Sequence, residues 1–250
     1  MSGHSKWKTI QHKKGAADAK RGKIFSRLAK EIMIVVKAGG GDPDKNASLR
    51  TALQKAKSSN MPTENIERAI KKGTGEIAGA ALEEVVYEGY AAGGIGLVVN
   101  VLTDNKNRAA AEIRHCFGRH GSSFAGQGSV SRGFERRGQI FVDASKVKED
   151  DLMAIVLDAG ADDMTHDGDQ FEVLTQPGAF AAVSLALEKA GIPVLSGEVS
   201  LVATAPIPVA EVSVARSVFK FVEDLEDNDD VQNVYHNMDV DDAVMDELEK

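Results

Sequence analysis

The chain has 250 residues, 42% apolar and 27% charged, with 24 glycines, 6 prolines and a single cysteine. This composition excludes collagen-like, disordered and disulfide-scaffold proteins. The formal net charge of −8 is unevenly divided: residues 1–75 carry 17 lysines and arginines against 6 acidic residues, a balance of +11, which leaves −19 for the remainder. A basic front part on an acidic body favours contact with a polyanion, although a solvated lysine-rich surface has the same composition.

The first 75 residues are predicted to form three helices. Residues 14–38 form the first, which ends at glycines 39–41; residues 46–58 form the second; residues 62–72 form the third, with Gly73 as its stop. At about 100° per residue, the first helix places its lysines and arginines opposite one apolar stripe, which comprises Ile24, Leu28, Ile32 and Val35. Because the two shorter helices can cover this stripe, we expect a small helical bundle with a basic leader.

Beyond residue 80 the apolar pattern predicts strands and helices in alternation. The predicted elements, in chain order, are strands 83–90 and 94–104, helix 106–119, a glycine- and serine-rich segment over 118–134 that is either a loop or a loop with one short strand, strand 138–144, helix 149–159, a hairpin over 162–175 that turns at Asp167 and Gly168, helix 178–190, strand 197–205, helix 210–225, strand 231–240 and an acidic tail. The six elements from strand 138–144 to strand 197–205 follow the order βαββαβ of a ferredoxin-like module.

The last predicted helix and strand lack a partner for their apolar sides, and so does the ββα segment before the module. Pairing these two incomplete pieces buries both. The chain is therefore expected to be an α+β protein of three domains: a basic helical domain (1–78), a discontinuous α+β domain (79–135 plus 208–250) and an inserted ferredoxin-like α+β domain (136–207).

The basic leader and the first helix carry the candidate binding residues. Lysine and arginine side chains about one helical turn apart can meet successive phosphates of a nucleic acid. Trp7, the only tryptophan, either stacks on an unpaired base or fastens the leader to the bundle. The predicted nucleic-acid-binding residues are Lys6, Trp7, Lys8, Lys13, Lys14, Lys20, Arg21, Lys23, Arg27 and Lys30.

Sequence motifs for catalysis and metal binding are missing. There is no GxxxxGK[ST], HExxH or GxSxG motif, and the acidic run EDLEDNDD lacks EF-hand spacing, so this run is interpreted as a solvated helix end. We therefore predict no enzyme activity, no metal and no cofactor. His4 and His12 stand among lysines and leave a nuclease as a remote alternative. Cys116 is expected to be a small buried hydrophobe on helix 106–119.

The expected location is the cytoplasm. No segment has the apolar run of a signal peptide or of a membrane span, and a lone cysteine can form no intrachain disulfide. No membrane partner is predicted.

Four long segments carry a family resemblance: MSGHSKWKTIQHKKGAADAKRGKIF, GGGDPDKNASLRTALQKAKSSNMPTENIERAIKKG, VVYEGYAAGG and LTDNKNRAAAEIRHCF. In order and spacing they resemble the YebC/PmpR family, often described as probable transcriptional regulators, whose mitochondrial relative is a translational activator of cytochrome c oxidase. One segment departs from the family: where a glycine-rich GGxLGxxGSV run is usual, this chain reads GSSFAGQGSV.

The resemblance implies a three-domain cytoplasmic protein of mixed helix and sheet, without cofactor or catalytic residues, whose basic stretch corresponds to residues 6–30 here. It implies a DNA-binding transcriptional regulator or, alternatively, a ribosome-associated translation factor that binds ribosomal RNA. The expected partner is therefore nucleic acid, together with the transcription machinery or the ribosome. The resemblance specifies no oligomeric state.

Overall fold

A computed structural model of the chain describes residues 18–79 and 81–248. The fold is of mixed α+β class, with helices first and antiparallel sheets after them. The chain divides into two compact units. The inserted unit is Arg132–Ile207, and the main unit comprises the described residues on either side of it.

The main unit begins with a bundle of three helices: α1 (Asp18–Gly39), α2 (Ala47–Ser58) and α3 (Thr63–Thr74). Asn46 fixes the turn into α2, because its side-chain oxygen accepts a hydrogen bond from the Leu49 amide at 3.0 Å while its amide donates to the carbonyl of Val35 at 2.8 Å. The core is built within the bundle itself, from Leu28, Ile32, Val36, Leu49, Ala52, Ala56, Met61, Ile66 and Ala69.

Two details of the predicted apolar stripe on α1 are wrong. Ile24 is 39% exposed, and Val36 rather than Val35 is fully buried. The buried residues Leu28, Ile32 and Val36 are spaced four apart, so they lie one above the other on the side of α1 that meets the shorter helices. Val35 lies beside this row and is only partly buried.

The predicted stop of α3 at Gly73 is also wrong. The helix continues to Thr74, and Gly75 caps it with a left-handed φ of 81°. Gly73 is instead a packing glycine: a Cβ atom there would lie 2.8 Å from the carbonyl oxygen of Met33 and from Cβ of Val36. The missing side chain lets α3 approach α1 closely.

The α+β part of the main unit begins with a hairpin that precedes the inserted unit. Its elements are β1 (Glu83–Tyr90), β2 (Gly96–Thr103), α4 (Lys106–Arg119) and β3 (Ser123–Ala125). The turn between β1 and β2 uses Gly93 and Gly94, both with positive φ, as expected of the glycine cluster.

The inserted unit is a ferredoxin-like module. Its elements are β4 (Phe134–Asp143), α5 (Glu149–Asp158), β5 (Ala161–Asp167), β6 (Gln170–Thr175), α6 (Phe180–Lys189) and β7 (Val194–Ala203). The strand order is β5-β6-β4-β7 with every pair antiparallel, and both helices contribute buried side chains to one core. β4 starts four residues before the predicted strand, because Phe134 to Arg137 pair with the end of β7.

The chain then returns to the main unit. The returning elements are β8 (Ile207–Val209), α7 (Val212–Glu226), β9 (Val231–His236), β10 (Met238–Val240) and α8 (Asp242–Leu248). β9 pairs with β2 and completes a sheet of order β3-β1-β2-β9, and β8 pairs with β10.

Two predictions for this last segment need correction. The single strand expected over 231–240 is interrupted at Asn237, whose side-chain oxygen accepts a hydrogen bond from the amide of Gly96 at 2.8 Å. The segment predicted only as an acidic tail contains α8, which is held by the buried side chains of Val244 and Met245.

Candidate nucleic-acid interface

The ten predicted binding residues fall into three groups. Lys6, Trp7, Lys8, Lys13 and Lys14 lie outside the described residues, as do His4 and His12 of the nuclease alternative. Lys20 and Arg21 belong to the start of α1, where only the backbone is described. The structure therefore shows the side chains of three of them: Lys23, Arg27 and Lys30.

These three side chains lie along one face of α1 and contact the C-terminal end of α7. Nζ of Lys23 lies 2.9 Å from the carbonyl oxygen of Asp227 and 3.0 Å from its Oδ1. Arg27 donates to the carbonyl oxygen of Glu226. Nζ of Lys30 lies 2.7 Å from Oδ1 of Asp230. We call this contact between Lys23, Arg27 and Lys30 on α1 and residues 226–230 the seam.

Helix electrostatics explain why the seam forms at this place. The last carbonyls of a helix have no donor within the helix and carry partial negative charge, so cations are stabilised beside them by about 0.3–1 kcal/mol each. α7 presents such carbonyls at its end, and the acidic side chains of the run EDNDD add full negative charges. The basic face of α1 therefore meets an acidic surface of its own chain.

Asp230 is the most buried member of the seam, with 6% exposure. In addition to Lys30, its carboxylate accepts hydrogen bonds from Thr103 Oγ1 and from Arg108, both at 2.8 Å. Burial alone would raise the pKa of Asp230, but the hydrogen bonds from Lys30, Arg108 and Thr103 outweigh it and hold the pKa below its usual range. Asp230 thus joins α1, β2 and α4 as a charged carboxylate.

Arg27 occupies the middle of the seam. Burial lowers the pKa of this guanidinium, while the carboxylates of Glu226, Asp227 and Asp229 act in the opposite direction. Arginine remains charged at any physiological pH, so Arg27 contributes a permanent positive charge that its own chain largely surrounds.

The interpretation of EDLEDNDD as a solvated helix end is wrong for the end of the run. Asp227 and Asp230 form ion pairs with α1, and Asp230 is buried. Both partners were visible in the sequence, one as a basic helical face and the other as an acidic run. Their pairing was not, because about two hundred residues separate them and no local pattern connects them.

A second group of cations lies on the other helices of the bundle. The side chains of Lys57, Arg68, Lys71 and Lys72 are exposed, and within the described part of the chain no carboxylate forms an ion pair with them. Sequence reasoning did not select these residues, although their spacing on α3 would have identified an exposed basic row. They offer positive charge that is not already neutralised.

The divergent GSSFAGQGSV loop is organised by a buried carboxylate. Glu88 on β1 accepts hydrogen bonds from the backbone amides of Gly128 at 2.7 Å, Val130 at 2.6 Å and Ser131 at 2.9 Å, and from the Ser131 hydroxyl. Burial would raise the pKa of Glu88, but these four bonds outweigh it and keep the pKa below its ordinary value. The loop is thereby fixed to β1.

Two further kinds of site to consider are a metal centre and a reactive cysteine. Among the described residues, no three His, Cys, Asp or Glu side chains form a group that could hold a metal ion. Cys116 is buried as expected, and burial raises the pKa of its thiol, which disfavours the reactive thiolate.

None of the helices between residues 18 and 248 that the structure describes has the length and apolarity needed to cross a membrane.

Comparison with known proteins identifies the family. Residues 5–76 match the family model described as the TACO1/YebC protein N-terminal domain, and residues 82–238 match the model described as the TACO1/YebC second and third domain. The chain belongs to the TACO1/YebC family.

Relatives match along nearly the whole chain. A protein of Desulfotalea psychrophila is 49% identical over 99% of both chains, and one of Solibacter usitatus is 51% identical over 99% of both; each is named a probable transcriptional regulatory protein. A crystal structure of a conserved hypothetical protein from Aquifex aeolicus is similar with a TM-score of 0.81 and 41% identity, covering 90% of this chain and 93% of that one.

Proposed function

We propose that the chain is a nucleic-acid-binding regulatory protein, and specifically a DNA-binding transcriptional regulator. The observation that carries this proposal is sequence identity: about half of all residues, over nearly the full length, are identical to those of proteins named probable transcriptional regulatory proteins. The separation of charge supports it, because a balance of +11 in the first 75 residues of an acidic protein directs that end towards a phosphate polymer.

The proposed interface comprises the ten predicted residues and the exposed cations of α2 and α3. Lys57, Arg68, Lys71 and Lys72 are available without any rearrangement. Lys23, Arg27 and Lys30 can contact phosphates only when they leave their acidic partners in the seam. The three-domain division, the cytoplasmic location and the lack of catalytic activity remain predictions alongside this proposal.

The experiment that tests the proposal is crosslinking in growing cells followed by sequencing of the bound nucleic acid. Enrichment of promoter DNA supports the transcriptional regulator, whereas enrichment of ribosomal RNA supports the translation factor. Enrichment of neither above background would overturn both.

A matched pair of variants makes this experiment specific. Replacing Lys6, Lys8, Lys13 and Lys14 by alanine should reduce the crosslinked material, because these lysines lie in the proposed interface. Replacing four lysines elsewhere removes the same charge and should leave the amount of crosslinked material unchanged. Suitable positions are Lys146, Lys148, Lys189 and Lys220.

A further inference from the structure

We propose that the acidic end of α7 is an internal competitor of nucleic acid, which occupies the basic face of α1 until a phosphate polymer displaces it. This inference rests on the proposed function. It assigns to Asp227, Asp229 and Asp230 a regulatory role at the proposed interface.

The bundle is built so that the seam can open. Its core consists of residues between Leu28 and Ala69, so the bundle keeps a hydrophobic core of its own when the seam opens. The chain from Gly75 to Gly79, which follows α3, is exposed. The seam itself is made of ion pairs and of hydrogen bonds to carbonyl groups, which salt and competing anions weaken.

The oxygen atoms in the seam take the positions that phosphate oxygens would take. Lys23, Arg27 and Lys30 are spaced four and three residues apart, about one helical turn each. Each of them binds at least one oxygen of residues 226–230, and two of them bind a carboxylate. A row of cations that binds carboxylate and carbonyl oxygens at this spacing also suits successive phosphates of a nucleic-acid strand.

The seam has an outer and an inner end. At the outer end, the side chains of Lys23 and Asp227 are 38% and 62% exposed, so water and ions reach this pair. At the inner end, the side chains of Lys30 and Asp230, measured without their backbone atoms, are only 21% and 8% exposed. A polymer would therefore separate Asp227 from Lys23 first. A short or weakly charged anion would separate only this pair, because several linked phosphates are needed to replace all the acidic partners of the row.

Crosslinking by a carbodiimide tests the competition directly. This reagent joins an amine and a carboxylate in contact through an amide bond with loss of water, so it should link Lys23 to Asp227. We expect the yield of this link, measured by mass spectrometry, to fall about threefold or more when a 20-base-pair DNA duplex is bound; the same measurement with a 20-nucleotide RNA covers the alternative ligand. The link between Lys220 and Asp224, an ion pair of the same 3.0 Å length within α7, serves as the internal control and should not change.

Variants of the acidic side give an independent test. The double variant D227N/D229N removes two charges near Arg27 and leaves Asp230 in place. It should bind the DNA about three- to tenfold more tightly than the wild type. The control D158N/E188Q removes two charges from exposed positions of the inserted unit and should change the affinity by much less.

The outcomes separate the two proposals. If the wild type binds DNA or RNA but the Lys23–Asp227 link persists and D227N/D229N binds no more tightly than D158N/E188Q, the competition is refuted and the proposed function stands. If the wild type fails to bind and D227N/D229N binds, the competition is supported in its strongest form. If neither protein binds either nucleic acid, both proposals are overturned.

Discussion

Lys30 and Asp230 are two hundred residues apart in the sequence, yet Nζ of the first lies 2.7 Å from Oδ1 of the second. This ion pair fastens the N-terminal helical bundle to the sheet that the C-terminal segment completes. Thr103 and Arg108 bind the other oxygen of the same carboxylate, so one side chain connects three elements.

Removing this carboxylate should destabilise the main unit. Asp230→Ala leaves Lys30 without its anion in a largely buried place and removes the carboxylate oxygen that Thr103 and Arg108 share, so we expect a loss of about 2–3 kcal/mol in the free energy of unfolding. Urea denaturation of the wild type and the variant measures this difference in the free energy of unfolding. Asp158→Ala, at an exposed position, should change the same quantity by less than about 0.5 kcal/mol.

The contribution of Asp230 should also depend on pH. Its pKa is lower in the folded protein than in the unfolded chain, so the unfolded chain takes up the proton first as the pH falls. The stabilisation is therefore fully present above the unfolded value of about 4 and disappears as the pH falls towards the lower folded value. The difference in unfolding free energy between wild type and Asp230→Asn should therefore shrink as the pH falls below about 4. A difference in unfolding free energy that does not change with pH would contradict the attribution of this stability to the charged carboxylate of Asp230.

Glu88→Gln should loosen the GSSFAGQGSV loop. The carboxylate offers two acceptor oxygens to four donors, whereas an amide would direct its own N–H groups at some of them. We expect a cost of about 2–3 kcal/mol and faster hydrogen exchange at the amides of Gly128 and Val130. Glu84→Gln on the same strand, at an exposed position, should leave these exchange rates unchanged.

Two glycines near α4 should respond in opposite directions to alanine. At Gly89 a Cβ atom would lie 2.2 Å from Phe117 Cε1 and 2.5 Å from the Ser123 carbonyl oxygen, so Gly89→Ala should cost about 3 kcal/mol or more in stability. At Gly118, on α4, a Cβ atom would meet nothing within 4 Å. Gly118→Ala should therefore stabilise the protein by about 0.5–1 kcal/mol. Thermal unfolding of both variants checks the sign.

The exposed cations of the bundle should contribute to the salt dependence of nucleic-acid binding. Each phosphate contact that is lost reduces the slope of log affinity against log salt by about one unit. Replacing Lys57, Arg68, Lys71 and Lys72 by alanine should thus flatten the slope by roughly three to four units. Lys146→Ala with Lys148→Ala, in the inserted unit, is the control; an equal flattening by that pair would indicate a general charge effect.

Local chemistry made much of the fold predictable from the sequence. The start of α4 follows from Asn105, whose side-chain oxygen caps the helix by accepting a hydrogen bond from the Arg108 amide at 3.1 Å. The turn at Gly168 follows from the need for a positive φ. The α3 stop was misplaced because a glycine that permits close packing, such as Gly73, has the same sequence signature as a glycine that ends a helix.

The candidate site was less predictable, because its central feature is a contact between distant segments. The positive charge of Lys23, Arg27 and Lys30 is evident from the sequence, but whether a lysine faces water or a carboxylate depends on packing. Glu88 illustrates the same difficulty: within EEVVYEGY it has the position of an outward residue, and only the course of the following loop buries it.

The inserted unit leaves and rejoins the rest of the chain at a single point. Phe134 pairs with Ala203 at the ends of β4 and β7, and the Thr204 amide donates to the carbonyl oxygen of Gly133 at 2.9 Å. The flanking segments are thus held together as they would be by a tight hairpin. The two ends of the ferredoxin-like module therefore lie side by side, so residues added to or removed from its loops leave the distance between its ends unchanged.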